Sequence, residues 1–419
     1  MRPTTHARLC VVVLALLSVG LGGMNDRDAA NSAGMTARMP AVLMARAQPM
    51  AGPRCKNQFP QKPLCKFVDD LAASPLTFLD ASAGETIKLG AYDTHIPTVI
   101  PFPRSHALPP PFTLPPFLSP PHPPGPRNEQ KFHRDLPDTK VYAYGVSRDS
   151  ARYPGPVLVA KRGITTKVKF ANHIKDKTHM FTIDPTLMTP KLKNGGVPIK
   201  SGDLSVHLFL KLLVTTSVHI YVITAVHKHG GETSSKSDGH PMAWYTAFGE
   251  QGPEFESEVH TYPNMQRPTM LWYHDHTLGI TALNTAAGMV GLYIIRDPQG
   301  EERRLKRWLP RGERQLHLVL ADRSFFPNGS INYPNQGFVP NVHPNWIPGY
   351  VGNTNVVNGK VWPFLNVRRA MHRIRMLSAA NARTYNLTFQ CAGRGDHNFN
   401  PPLAGPVLPF YLVRREKGS

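Results

Sequence analysis

An all-β fold is predicted from three features of the chain. Its apolar segments are short and rich in Val, Ile, Tyr and Phe. Turn signals of Gly, Pro, Asn and Asp separate them at close spacing. Nowhere does an apolar period of 3.6 residues persist as an amphipathic helix requires. A length of 419 residues is enough to bury two or three cores.

The chain opens on "MRPTTHAR", a basic stretch, followed by "LCVVVLALLSVGLG", an apolar run of 14 residues ending in small side chains. That run is short for a bilayer span and suits a secretory signal over residues 1–23, with cleavage between Gly22 and Asp28. The expected location is therefore extracellular or in the cell wall, with an uncleaved anchor as the alternative. Two glycosylation acceptors, Asn328-Gly329-Ser330 and Asn386-Leu387-Thr388, agree with export. Of the four cysteines, Cys10 leaves with the signal. Cys55 and Cys65 are close enough to bridge in an oxidising compartment, and Cys391 is left odd.

Residues 24–65 have little pattern and read as a mobile leader. A first domain is expected over 66–300. "FVDDLAASPLTFLDASAGETIKLGAYDTH" reads as a short ordered stretch, and "KFHRDLPDTKVYAYGVSRDSARYPGPVLVAKRGITTKVKFANHI" as short strands, "VLVA" and "TKVKFAN" among them, with turns at Tyr153-Pro154-Gly155 and Arg162-Gly163. Two stretches interrupt it. Residues 96–129 are proline-rich and suit only polyproline-like or irregular backbone. Residues 199–223 are apolar and approach span length, but Lys211, His207 and His219 argue against a membrane span, so none is expected once the signal is removed. "MLWYHDH" and "AAGMVGLYIIRD" supply two strong strands, and the basic linker "PQGEERRLKRWLPRGER" closes the domain. A second β-rich domain, 301–419, runs through "QLHLVLADRSF", "TNVVNGKVWPFLNV" and "HRIRMLSAANARTYNLTF" into a tail of weak strand pattern.

The formal net charge of +20 makes first of all a diffuse basic surface, and such an excess can also bind nucleic acid, an anionic membrane or an acidic polysaccharide. No basic motif interleaved with aromatics is present, so nucleic acid is discounted and an acidic wall polymer is kept as a possible partner.

The chemistry concentrates in two histidine pairs. Side chains at i and i+2 share one face of a strand, so His274 and His276 point the same way, with Asp275 on the other face. Along a strand the two are roughly 6.5–7 Å apart, a spacing that suits two neighbouring metals better than one shared ion. His227 and His229 make a second pair about 45 residues upstream, followed by Gly230 and Gly231, which let the backbone turn tightly. A single H-x-H arises by chance among 19 histidines. Two such pairs, each on a strand, could aim four imidazoles into one cleft, and imidazole without thiolate favours copper, zinc, iron or nickel.

"VHKHGG", "LWYHDHTLGITALNTAAGMVGLYIIRD" and the spacing between them resemble the first two copper motifs of the multicopper oxidases. The resemblance is to the branch of bilirubin oxidase, bacterial spore-coat laccases and plant low-phosphate-root ferroxidases. "KFHRDLPDTKVYAYG", "DRSFFPNGSINYP" and "VVNGKVWPFLNV" are similar to that branch as well. The resemblance implies tandem cupredoxin-like Greek-key β-barrels, the second incomplete in this chain, and copper as cofactor. It implies His227 at the type 2 copper and His229, His274 and His276 at the type 3 pair. It also implies a donor such as Fe²⁺, a phenol or a tetrapyrrole, with O₂ reduced to water. Asp275 would orient backbone rather than bind metal.

The sequence departs from the family in one respect. The family's H-P-x-H-x-H and H-C-H…H…M stretches are absent, and Cys391 sits in "FQCAGRG" with no flanking histidine. The expectation is a truncated member with half of the trinuclear ligands, no type 1 copper and no turnover. The alternatives are a non-catalytic two-barrel binding module, or an incomplete gene model in which both interrupting stretches are unspliced sequence. A zinc hydrolase on the same histidines would need a general base, and no H-E-x-x-H motif offers one.

Overall fold

The computed structural model describes residues 6–9, 69–71, 76–82, 86–94, 130–176, 178–184, 186–187, 222–368, 370–390 and 407–411. Cys55, Cys65, Cys391, the leader and the proline-rich stretch lie outside the described residues, as does the apolar stretch up to 221. Its last two residues, Val222 and Ile223, are buried in the core.

The described strands begin with β1 (His6–Leu9), β2 (Phe78–Asp80), β3 (Thr86–Asp93), β4 (Tyr142–Gly145), β5 (Val157–Lys161) and β6 (Thr166–Asn172). They continue with β7 (Val226–His229), β8 (Val259–Tyr262), β9 (Thr269–Asp275) and β10 (Val290–Arg296). Two sheets result, one ordered β2-β5-β10-β9-β7 and the other β4-β3-β6-β8. Both mix parallel and antiparallel pairs: β5 runs parallel to β2 and β10, whereas β9 is antiparallel to β10 and β7.

The side-chain pattern accounts for each placement. β6 alternates buried and exposed positions as "TKVKFAN" predicts for a strand with one solvated face. β10, "VGLYIIR", is buried at every position but its last, which suits its place between β5 and β9. The interior is unusually aromatic. Tyr144, Phe170 and Tyr273 pack with ring centroids 5.2–6.5 Å apart. The Tyr273 hydroxyl donates to the carbonyl of Pro156 at 2.7 Å, which removes the cost of burying it.

The second segment comprises β11 (Gln315–Arg323), β12 (Thr354–Val357), β13 (Lys360–Val361), β14 (Leu365–Arg368), β15 (Arg373–Ser378), β16 (Phe389–Gln390) and β17 (Val407–Leu408). β13-β12-β11-β15 form one sheet, and β16 pairs with β17. Val319, Ala321, Val356 and Val361 join the same apolar core as the first segment, so the two bury one continuous interior.

Three findings refine the sequence reading. The sheets are open and do not close into barrels among the described residues. The basic linker holds a helical turn, α2 (Glu301–Leu305), and the strand candidate before β10 begins as α1 (Thr281–Ala287). Ala-rich "TALNTAA" has the propensity for about two helical turns, and Gly288 at φ 127° ends them. Finally, β1, within the expected signal, pairs antiparallel with β14. No helix among the described residues is long and apolar enough to cross a membrane.

Candidate metal centre

β7 and β9 are hydrogen-bonded neighbours, and their register sets His227 opposite His274 and His229 opposite Trp272. The two-residue period then sends all three imidazoles to one face. Val226 and Lys228 on β7, with Leu271, Tyr273 and Asp275 on β9, turn into the core. His276 follows the end of β9, where its N–H donates to the Ala225 carbonyl at 2.7 Å and keeps the residue in line.

The ring centroids of His227 lie 5.4 Å from His229, 5.6 Å from His274 and 4.8 Å from His276. His274 and His276 are 5.7 Å apart, closer than the along-strand spacing because the rings lean together. Ligand nitrogens of His227, His229 and His274 all fall within 4.8 Å of one another. Three imidazoles thus converge on one point, tighter than the one-metal-per-histidine arrangement expected from strand geometry.

Each ring is steered by a neighbour. Nδ1 of His227 donates to the Asp238 carbonyl, and Nδ1 of His274 to the Asp275 carbonyl at 2.6 Å. Both bonds leave Nε2 facing the cluster. Nδ1 of His229 faces Nε2 of His274 at 3.2 Å, and Nδ1 of His276 is buried with no protein partner among the described residues. Trp272 stacks on His274 with centroids 4.0 Å apart and on His229 at 5.1 Å, walling the site on one side.

Electrostatics favour neutral rings. Burial, then the charge of neighbouring imidazoles, holds His229 and His276 below the usual histidine range, and burial lowers His274 to about 3. Neutral imidazole is the metal-binding form. The donor set is therefore one that a borderline transition metal fits, and Nδ1 of His276 is a buried nitrogen still without a partner.

Asp275 is fully buried and turned from the cluster. Its carboxylate accepts from Thr224 Oγ1 and the Ala225 amide at 2.9 Å, and from the Thr277 amide and hydroxyl at 3.0 Å. It therefore ties the approach to β7 to the end of β9, which is an orienting role.

Several contributors were not visible in the histidine pattern. Gly239, at φ 79°, packs so closely on β7 that an added Cβ would lie 2.1 Å from the Val226 carbonyl. The adjoining Asp238 holds His227, and Pro241 accepts from the Leu278 amide at 3.2 Å, so this loop is fastened to β7 and to the turn that follows β9. The advance signal was that the stretch beginning "SDGHPMAW" is similar to the same oxidase branch. Asn284 of α1 joins His179, at 3.0 Å, to the Ile223 carbonyl, at 3.1 Å, behind the site.

Comparison with known proteins gives a consistent set of relatives. The chain is 39% identical over 286 residues to multicopper oxidase LPR1 homolog 1 of Oryza sativa subsp. japonica, covering 66% of this chain and 44% of that protein. It is 41% identical over 261 residues to multicopper oxidase LPR1 of Arabidopsis thaliana, covering 62% and 40%. It is 38% identical over 267 residues to a laccase of Bacillus subtilis (strain 168), covering 63% and 46%. The chain thus spans less than half the length of these relatives. No family model matches it. Among solved structures it aligns with the McoA multicopper oxidase of Aquifex aeolicus at 19% identity and a TM-score of 0.42, over 74% of this chain and 46% of that one.

Proposed function

Over about two-thirds of its length this chain is a homologue of the multicopper oxidases, and from that premise we propose that it forms a copper half-site of such an enzyme. The supporting observation is the convergence of His227, His229 and His274 to within 4.8 Å, with His276 beside them. In this reading those four imidazoles hold the copper. Copper, when bound, supplies one-electron chemistry coupled to the reduction of dioxygen. In a complete enzyme the donor is a metal ion such as Fe²⁺ or an organic phenol or tetrapyrrole.

The chain's own residues prepare the ligands. Burial disfavours the protonated form of His229, His274 and His276, the Asp238 and Asp275 carbonyls hold Nδ1 of two rings, and Trp272 covers one side. The 419 residues contain no cysteine flanked by histidines. Alone, this polypeptide is therefore expected to bind copper without steady turnover.

The test is a copper titration of the metal-free full chain, with bound metal counted by elemental analysis. One or two equivalents are expected, falling to none in a His227→Ala/His274→Ala double variant that keeps its far-ultraviolet dichroism. Zero copper in the unaltered chain ends the copper reading and leaves a non-catalytic binding module. Sustained ferroxidase or phenol-oxidase activity of the copper-loaded chain would overturn the expected lack of turnover.

A further inference from the structure

α1 lies between the metal centre and the second segment and is bonded to both. Its seven residues are too few to hold a helix in water, so its place is set by the groups that grip it. On the metal side the grip is Asn284, which is fully buried. Its Nδ2 donates to the Ile223 carbonyl at 3.1 Å, just ahead of β7, and its Oδ1 accepts from Nε2 of His179 at 3.0 Å. The same side chain also meets the Asp275 carboxylate. Thr281 Oγ1 donates back to the Thr277 carbonyl at 2.8 Å, and Thr277 in turn donates to Asp275. α1 therefore bears on the approach to β7 and on the end of β9.

The opposite grip comes from the second segment. Arg323, the last residue of β11, is 1% exposed, and its Nη2 donates to the Thr285 carbonyl at 3.1 Å. Asn381, past the end of β15, donates from Nδ2 to the Ala282 carbonyl at 2.8 Å. Both donors stand on fixed backbone. Nη1 of Arg323 donates to the Asp322 carbonyl at 2.7 Å, and the Asp322 carboxylate accepts from the Gly352 amide at 2.6 Å and from Nε of Arg383 at 3.0 Å. Ahead of Asn381, the Ala379 amide donates to the Leu320 carbonyl of β11 at 2.7 Å. For packing alone an apolar side chain would serve better at position 323, because taking a guanidinium out of water is costly. What Arg323 adds is a rigid fork that reaches α1.

We propose that Arg323 and Asn381 are positioning residues of the metal centre. Through α1 and Asn284 they set the Asp275 carboxylate and the Ile223 carbonyl, and with these the alignment of His227, His274 and His276. The inference rests on the copper reading for its ligand and not for its geometry.

The test joins two measurements on the full chain: copper(II) affinity, by competition with a chelator, and amide hydrogen exchange without metal. Arg323→Met/Asn381→Ala is expected to lower the affinity about tenfold, as loss of the partners behind a ligand does. It is also expected to speed exchange at the Ala225 and His276 amides, which bond to Asp275 and to the Ala225 carbonyl. Asn381→Ala alone, at a half-buried position, is expected to lose about threefold with its melting midpoint nearly unchanged, and it decides the matter should the double variant not fold. Val356→Ala on β12 loosens the shared core without removing a bond to α1 and should cost under about twofold in affinity. An equal loss in that control overturns the proposal in favour of general destabilisation. Unchanged exchange at Ala225 and His276, or an unchanged affinity, overturns it as well. Should the unaltered chain bind no copper, the copper reading fails by itself and the exchange result still decides the positioning.

Discussion

His274 and Asp275 are adjacent in the chain and do opposite work. His274 presents a neutral ring to the cluster, while Asp275 faces the core with a carboxylate that accepts from Thr224, Ala225 and Thr277. Replacing Asp275 by Ala leaves those donors unpaired in a dry interior and is expected to cost about 3 kcal/mol in a denaturant melt. Asp275→Asn keeps the shape but offers an NH₂ where donors already point. Its copper affinity is expected to drop about 10–100-fold with the fold retained. An unchanged affinity would remove Asp275 from the orientation of the site. Lys228 is the other unexpected residue. It lies between two candidate ligands, is fully buried, and its Nζ has no hydrogen-bond partner among the described residues. The ammonium rests over Tyr262 at 3.9 Å and Tyr293 at 4.9 Å, and burial lowers it to about 8. Desolvating an ammonium costs several kcal/mol, and cation–π contact returns only about 2. Lys228→Met is therefore expected to stabilise the chain by about 1 kcal/mol, read as a midpoint rise in thermal melting.

At the scale of elements, the site depends on the registry of β7 against β9. A slip of one residue would turn His227 and His229 into the core and Lys228 out to the cluster. Gly239 guards that registry, because only a residue without Cβ fits against the Val226 carbonyl at a positive φ. Gly239→Ala is expected to abolish copper binding while leaving the distant β11–β15 pairing intact. Amide hydrogen exchange checks this, and protection retained across β7 would contradict it. Much of this arrangement was legible beforehand. The H-x-H spacing placed the imidazoles on one face, and "LWY" and "VGLYIIR" marked buried strands. The hold of the Asp238–Pro241 loop on β7 and on the turn after β9 was not legible, because it comes from contacts that close only in three dimensions.

For the whole molecule, one core spans both segments, so stability is shared across them. His179, His260 and His317 are each lowered to about 4, chiefly by burial. Between that value and the ordinary histidine range the unfolded chain binds more protons than the folded one. Their contribution is thus present above about pH 6.5 and is lost as pH falls toward 4. A melting midpoint several degrees lower at pH 4.5 than at pH 7.5 is expected by calorimetry, and a flat profile would deny these rings a role. The sequence alone determined the all-β class and the two histidine pairs, since both rest on local periodicity, which backbone geometry enforces residue by residue. It also carried the resemblance to the copper oxidases. Only the tertiary structure decided that the four imidazoles share one place and that Asp275 and the Asp238 carbonyl hold them. Those facts depend on which strands become neighbours, and that is set by the burial of the whole core.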